Sequence, residues 1–150
     1  MMSQRRAVLA ITSGPNEGDT VRLEVGTCRL VGRHLSDSET VLIDRDGNRL
    51  LDNNAVQIMT THLKERSPVQ PKGQPEFSAN AFERGPDIIF ADDSISRAHA
   101  VFFFDKSGFG VIDLASTNGT FVNAERIGTS LVKHGDVITV GTSDLTISLQ

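Results

Sequence analysis

The chain has 150 residues, 38% of them hydrophobic and 23% charged, which suits one soluble globular domain with a buried core. Its net charge of −4 argues against general nucleic-acid binding, which needs a basic face, yet leaves room for a local basic pocket around a single phosphate. The single cysteine, Cys28, excludes an intrachain disulfide and fits a reducing compartment; it reads as a small half-buried side chain, not a catalytic thiol.

In chain order, the opening "MMSQRRAVLAITSG" places two arginines before a short apolar run. Gly14-Pro15-Asn16 cuts that run too early for a signal peptide, so "RAVLAIT" (6–12) reads as a first strand. No segment is long enough to span a membrane. "DTVRLEV" (19–25) follows the turn at 14–18, and its Val21, Leu23 and Val25 alternate with polar residues, the period-two mark of a half-buried strand. "CRLVG" (28–32) is a third strand, ending at Gly32-Arg33.

Residues 34–86 then separate two strand-rich parts of the chain. A connection of this length must be structured in itself, functional or disordered. "TVLIDRDGNRLLD" (40–52) reads as a hairpin around Asp46-Gly47. Its "DRDGN" is not a calcium loop: the glycine comes too early for an EF-hand and Ala55 stands at the closing position. The spacing of Val56, Met59 and Leu63 predicts a helix over 53–66, capped by Asn53 or Asn54. "SPVQPKGQPEFSAN" (67–80) holds three of the five prolines and reads as an extended or mobile segment.

The strands resume at "DIIFA" (87–91), followed by "AHAVFFF" (98–104), "FGVIDL" (109–114), "TFVN" (120–123), "DVITVG" (136–141) and "DLTISLQ" (144–150). Gly, Asn, Asp and Ser punctuate them. Short strands with turn signals this frequent predict an all-β sandwich or barrel. Phe102, Phe103, Phe104 and Phe109 cluster as a core would, not as a platform for bases.

Three polar stretches interrupt these strands: "GRH" (32–34), "SISRAHA" (94–100) and "STNGT" (116–120). Loops of a sandwich gather at its two ends, so three loops distant in sequence can converge. Their chemistry suits a phosphate. Arg33 offers a planar fork of donors, Ser96 and Thr117 offer hydroxyls, Arg97 offers charge, and Asn118 carries both a donor and an acceptor for a peptide backbone. Ser96 and His99 do not read as a nucleophile–base pair. At i and i+3 of a strand they face opposite sides, and no Gly-x-Ser-x-Gly elbow is present. Asp92 and Asp93 read as an acidic turn, not a metal site.

"GR", then "SRAHA", "STNGTFVN" and "HGDVITVG", in that order, resemble the forkhead-associated (FHA) family. The resemblance covers roughly 6–33 and 86–150 and implies a single FHA-type β-sandwich of about eleven short strands, carrying an unusual insertion at 34–86. It implies a non-enzymatic phosphothreonine-peptide binding module in Ser/Thr-kinase signalling. Arg33, Ser96, Arg97 and Thr117 would hold the phosphate and Asn118 the peptide backbone. Gly32, His99, Gly119 and Asn123 would support the site, and Ser94 would read a residue flanking the phosphothreonine. The implied partners are phosphothreonine-containing proteins, either substrates of a Ser/Thr kinase or the kinase itself. No cofactor, metal, nucleic acid or membrane is implied, and the expected location is cytoplasmic. The competing expectation is an FHA-fold structural or oligomerisation unit that ignores phosphate and acts through 34–86.

Overall fold

The structure, a computed structural model, describes residues 5–64 and 82–150. The proline-rich stretch 67–80 lies outside the described residues. Twelve strands and one helix are described, against the expected eleven or so strands: β1 (Arg6–Ser13), β2 (Thr20–Glu24), β3 (Thr27–Arg33), α1 (Asn53–Leu63), β4 (Glu83–Arg84), β5 (Ile88–Phe90), β6 (Ala100–Asp105), β7 (Gly108–Asp113), β8 (Thr120–Val122), β9 (Glu125–Ile127), β10 (Thr129–Val132), β11 (Val137–Val140) and β12 (Ser143–Leu149).

They form two six-stranded sheets. The first runs β2-β1-β12-β11-β8-β9; the second runs β10-β7-β6-β3-β4, with β5 also on β3. Alternation builds the space between them. Leu9 and Ile11 of β1, Ile138 and Val140 of β11, and Leu145 and Ile147 of β12 face Val31, Phe102, Phe104, Phe109 and Val111 of the second sheet. The apolar run of β6 is explained by burial on both sides. Phe102 and Phe104 point into the sandwich, while Val101 and Phe103 point outward into a second cluster with Cys28, Leu30 and Ile112. A strand covered on both faces loses the polar half of its alternation.

What covers that outer face is the insertion. Ala55, Ile58, Met59 and Leu63 of α1 pack on it. The helix begins at Asn53 and its cap precedes both expected ones: Asp52 accepts a hydrogen bond from the Ala55 N–H at 2.8 Å. It ends at Leu63, and Val56, expected on the packed face, is exposed. The packed stripe follows 55, 58–59 and 63, one face of the helix. The 40–52 segment does reverse direction, through an Asx turn. Asp44 Oδ1 accepts from the N–H groups of Asp46 and Asn48, and a single bridge joins Ile43 to Arg49.

The insertion is narrower at its far end than expected. Glu83 and Arg84 already pair in parallel with Thr27 and Cys28, ahead of the expected resumption at 86. Three strands in all, this one included, lie outside the expected set. The β4 pair is too short to show a period, β9 is mostly exposed, and β10 buries only Val132. The β8–β9 turn uses Asn123-Ala124, with φ of 50° and 69°, so a two-residue hairpin forms here without the Asn-Gly signal.

Candidate functional site

Arg33 closes β3, where β5 runs alongside in parallel. Its N–H donates to the Ser96 carbonyl at 3.1 Å, so the loop before β6 is bound to the end of β3. Gly32 makes that approach possible. A Cβ at this position would run into the Arg97 carbonyl oxygen and come within 3.0 Å of Arg49 Nη1.

His99 joins this loop to the next one. Its ring is fully buried. Nδ1 accepts from the Ser96 N–H at 3.0 Å, so Nε2 carries the proton and donates to the Gly119 carbonyl at 2.9 Å. Burial pushes the imidazole below its ordinary pKa, which keeps it neutral in this role. Both Ser96 and His99 precede β6, and the Ser96 group that His99 engages is the backbone N–H, not the hydroxyl.

The 115–120 loop divides its polar residues between two directions. Ser116 and Thr120 turn inward, their hydroxyls donating to Asp113 Oδ1. Gly119, at φ +89°, turns the chain where a Cβ would lie 2.8 Å from Arg126 Nε. Thr117 and Asn118 are left exposed at the tip. The Thr117 N–H donates to Ser96 Oγ at 3.1 Å, and Asn118 Nδ2 donates to the Ser94 carbonyl at 2.8 Å. Asp92 anchors the other side. Burial works to raise its pKa, but bonds from Ser143, Thr142 and Ser94 prevail and hold it below the ordinary carboxylate value.

The loops enclose a cavity of about 620 Å³ lined by Arg33, Ser94, Ser96, Arg97, Thr117 and Asn118 together with insertion residues that include Arg49 and Leu50. Among the described residues, the Ser96 and Thr117 hydroxyl hydrogens and Asn118 Oδ1 have no hydrogen-bonding partner in the protein. Asn123 stands apart from this cavity. Its side chain donates to Asp136 and accepts from the Val137 N–H, fixing the β8–β9 turn against β11. Among the described residues, no group of three or more His, Cys, Asp or Glu is placed to hold a metal ion.

The Arg33 guanidinium is engaged. Nη1 and Nη2 each reach one oxygen of Glu39 at 2.9 Å, a bidentate pair, and Nη1 also donates to the His34 carbonyl at 3.0 Å. Glu39 additionally accepts from the Ser36 N–H at 3.0 Å, and its Oε2 lies 3.9 Å from Arg97 Nε. The Arg33 hydrogen bonds, with that of Ser36, hold the Glu39 carboxyl far below the usual carboxylate range.

The FHA-domain family model matches residues 81–141, a span that contains the second and third loops. The chain carries an FHA domain. The glycogen accumulation regulator GarA of Mycobacterium tuberculosis is 42% identical to it over 60 residues, 39% of this chain and 37% of GarA. The chain spans 37% to 42% of the length of the first GarA proteins it matches. An FHA domain solved in a study of phosphothreonine-dependent FHA interactions superposes with a TM-score of 0.53 at 20% identity, covering 97% of each chain. Mycobacterium tuberculosis EmbR, solved with a low-affinity phosphopeptide, gives 0.53 at 17% identity over 98% of this chain and 25% of EmbR.

This FHA domain thus brings six of its sequence-marked residues to one cavity, seats Gly32, His99 and Gly119 beneath or beside them, and leaves Asn123 outside. Sequence reasoning missed Glu39 and Arg49. Arg49 is buried, donates from Nη1 to the Arg97 carbonyl at 2.8 Å, and has its guanidinium pKa lowered by that burial. No turn or period signal marks either residue; each works through a contact that only the path of the insertion creates.

Proposed function

We propose that this FHA domain is a non-enzymatic module that binds phosphothreonine peptides in Ser/Thr-kinase signalling in the cytoplasm. One observation carries the reading: Arg33, Ser96, Arg97, Thr117 and Asn118, from three separate stretches, line a single cavity. In this reading Arg33 and Arg97 supply charge and Ser96 and Thr117 donate hydroxyl hydrogens, which together match the three acceptor oxygens of a phosphate. Asn118 Oδ1 accepts from a peptide N–H, and Ser94 contacts a flanking side chain. Gly32, His99 and Gly119 hold the loops in place, and Asn123 supports them from the β8–β9 turn. The threonine methyl contributes only about 1 kcal/mol of apolar contact, so any larger preference over phosphoserine comes from conformation. The partner is a phosphothreonine-containing protein, either the substrate of a Ser/Thr kinase or the kinase itself; no cofactor enters. The chain is one domain, core 6–33 and 86–150 with the insertion between. A fluorescence-anisotropy screen of phosphothreonine peptides against their unphosphorylated forms tests this; equal binding of both forms defeats it.

A second reading has its own support. Of the large hydrophobic residues exposed among the described residues, Val41, Leu42, Ile43, Leu50 and Val56 all lie in the insertion, with Leu42 75% and Ile43 58% exposed. These would serve a phosphate-independent self-association. Light scattering of the wild type and of Leu42→Asp with Ile43→Asp decides: an oligomer that dissolves in the variant and ignores phosphopeptide favours this reading. Deleting 34–86 is the wrong test, because α1 covers Phe103 and Ile112.

A further inference from the structure

Glu39 stands where an incoming anion must go. Its carboxylate takes the terminal fork of Arg33 through two bonds of 2.9 Å and lies 3.9 Å from Arg97 Nε. Those are the two arginines assigned above to the phosphate. The carboxylate is held by a third bond, from the Ser36 N–H at 3.0 Å, which closes the short turn between Arg33 and Glu39. A backbone donor within the same turn makes this an intramolecular ligand, already paid for in chain entropy.

A phosphate has two approaches to Arg33. The terminal fork is occupied by Glu39, and both Nη1 hydrogens are used, by Glu39 and by the His34 carbonyl. The remaining edge, Nε with Nη2, places the phosphate beside a carboxylate already bonded to Nη2. Either approach sets a dianion against Glu39. Arg33, Arg49 and Arg97 lie close together: burial, then Arg33 and Arg97, lower the guanidinium pKa of Arg49 while Asp87 and Glu39 oppose them, and the cavity-lining acids Asp52 and Asp93 are exposed. Glu39 is therefore both the carboxylate bonded to Arg33 beside Arg97 and the group a ligand must displace.

We propose that Glu39 is an affinity-setting residue, an internal carboxylate that competes with phosphate for Arg33 and imposes one common threshold on every anionic ligand. A peptide carboxylate offers Arg33 the same chemistry as Glu39 without the advantage of being intramolecular, so it does not displace Glu39. A phosphate brings a second negative charge and three acceptor oxygens, which also engage Ser96, Thr117 and Arg97. Because the threshold is shared, removing Glu39 raises the affinity of strong and weak anions by a similar factor and brings acidic peptides into the measurable range.

This proposal rests on the phosphopeptide reading, and one experiment separates their failures. A phosphothreonine peptide, its Glu-substituted form and its unphosphorylated form are titrated calorimetrically into wild type, Glu39→Gln, Glu39→Ala and Arg33→Ala, with urea denaturation of each. The expected result is a roughly two- to tenfold tighter phosphopeptide complex in both Glu39 variants. Their folded stability should fall slightly, because Arg33 and Arg97 lose the carboxylate paired with them. Affinity and stability moving in opposite directions is a signature that a merely structural role does not give. If wild type binds phosphopeptide and loses it with Arg33→Ala, but both Glu39 variants bind equally or more weakly, the competitor role is overturned and the phosphopeptide reading stands. If no protein binds the phosphopeptide, the functional reading falls and this proposal with it.

Discussion

Replacing His99 by alanine should cost the protein more stability than any single loop residue around the cavity. The ring is fully buried and is the sole bridge by which one side chain joins the Ser96 loop to Gly119 among the described residues. Its loss strands the buried Gly119 carbonyl, at about 1–3 kcal/mol, and the partly buried Ser96 N–H, at about 0.5–1.5 kcal/mol, and leaves a ring-sized void. A total near 3 kcal/mol is expected, read by urea denaturation at pH 7.5 as a midpoint lowered by roughly 1–2 M. The pH dependence adds a second check. The unfolded chain takes up a proton near the ordinary value of 6.5, whereas the folded ring does so only at a lower pH. The unfolded state therefore binds more protons between those values, so the ring's contribution is complete above pH 6.5 and shrinks as the pH falls below it. The gap between wild type and His99→Ala should narrow on acidification from pH 7 to 5. A loss below about 1 kcal/mol at pH 7.5, or a gap that stays constant with pH, refutes the assigned bridge and tautomer.

Gly32→Ala should lower stability by about 1–3 kcal/mol and weaken phosphopeptide binding, because the new methyl pushes on the Arg97 carbonyl and the Arg49 guanidinium; paired denaturation and binding curves check both. Cys28 should resist thiol reagents in the folded protein. Burial, only partly offset by Arg84, pushes its pKa up to about 11, so reaction with an aromatic disulfide at pH 8 should be at least about 100-fold slower than in urea. Equal rates would show that the thiol is accessible.

Much of the sandwich is legible in the sequence because half-buried strands announce themselves by period. β2 alternates in sequence as a strand with one dry face must, while β1, β11 and β12 are legible as short apolar runs bounded by turn residues, and their alternation shows in burial. The Phe-rich run of β6 is legible as core but does not reveal what covers its outer face, since a strand buried on both sides looks the same whichever neighbour buries it. The cover, α1, is legible as a helix, and Met59 and Leu63 pack as their spacing predicts, while Ala55 and Ile58 take the place expected of Val56; the cap falls on Asp52 instead of Asn53 or Asn54, three residues of similar capping chemistry. At the site, Gly32, Ser96, Thr117 and Asn118 are marked by turn chemistry interrupting apolar strands. Glu39 and Arg49 carry no such mark. Glu39 differs from the nearby Asp37 by one methylene and by where its side chain reaches, and Arg49 matters because the insertion folds back onto Arg97, 48 residues on.

If the cavity holds a phosphate through Arg33, calorimetric titration of one phosphothreonine peptide into wild type and Arg33→Ala will show it, with the unphosphorylated peptide as reference. Binding should require the phosphate and should weaken by roughly tenfold or more in the variant while its denaturation curve remains cooperative. A folded Arg33→Ala protein that binds the phosphopeptide as tightly as wild type would contradict it.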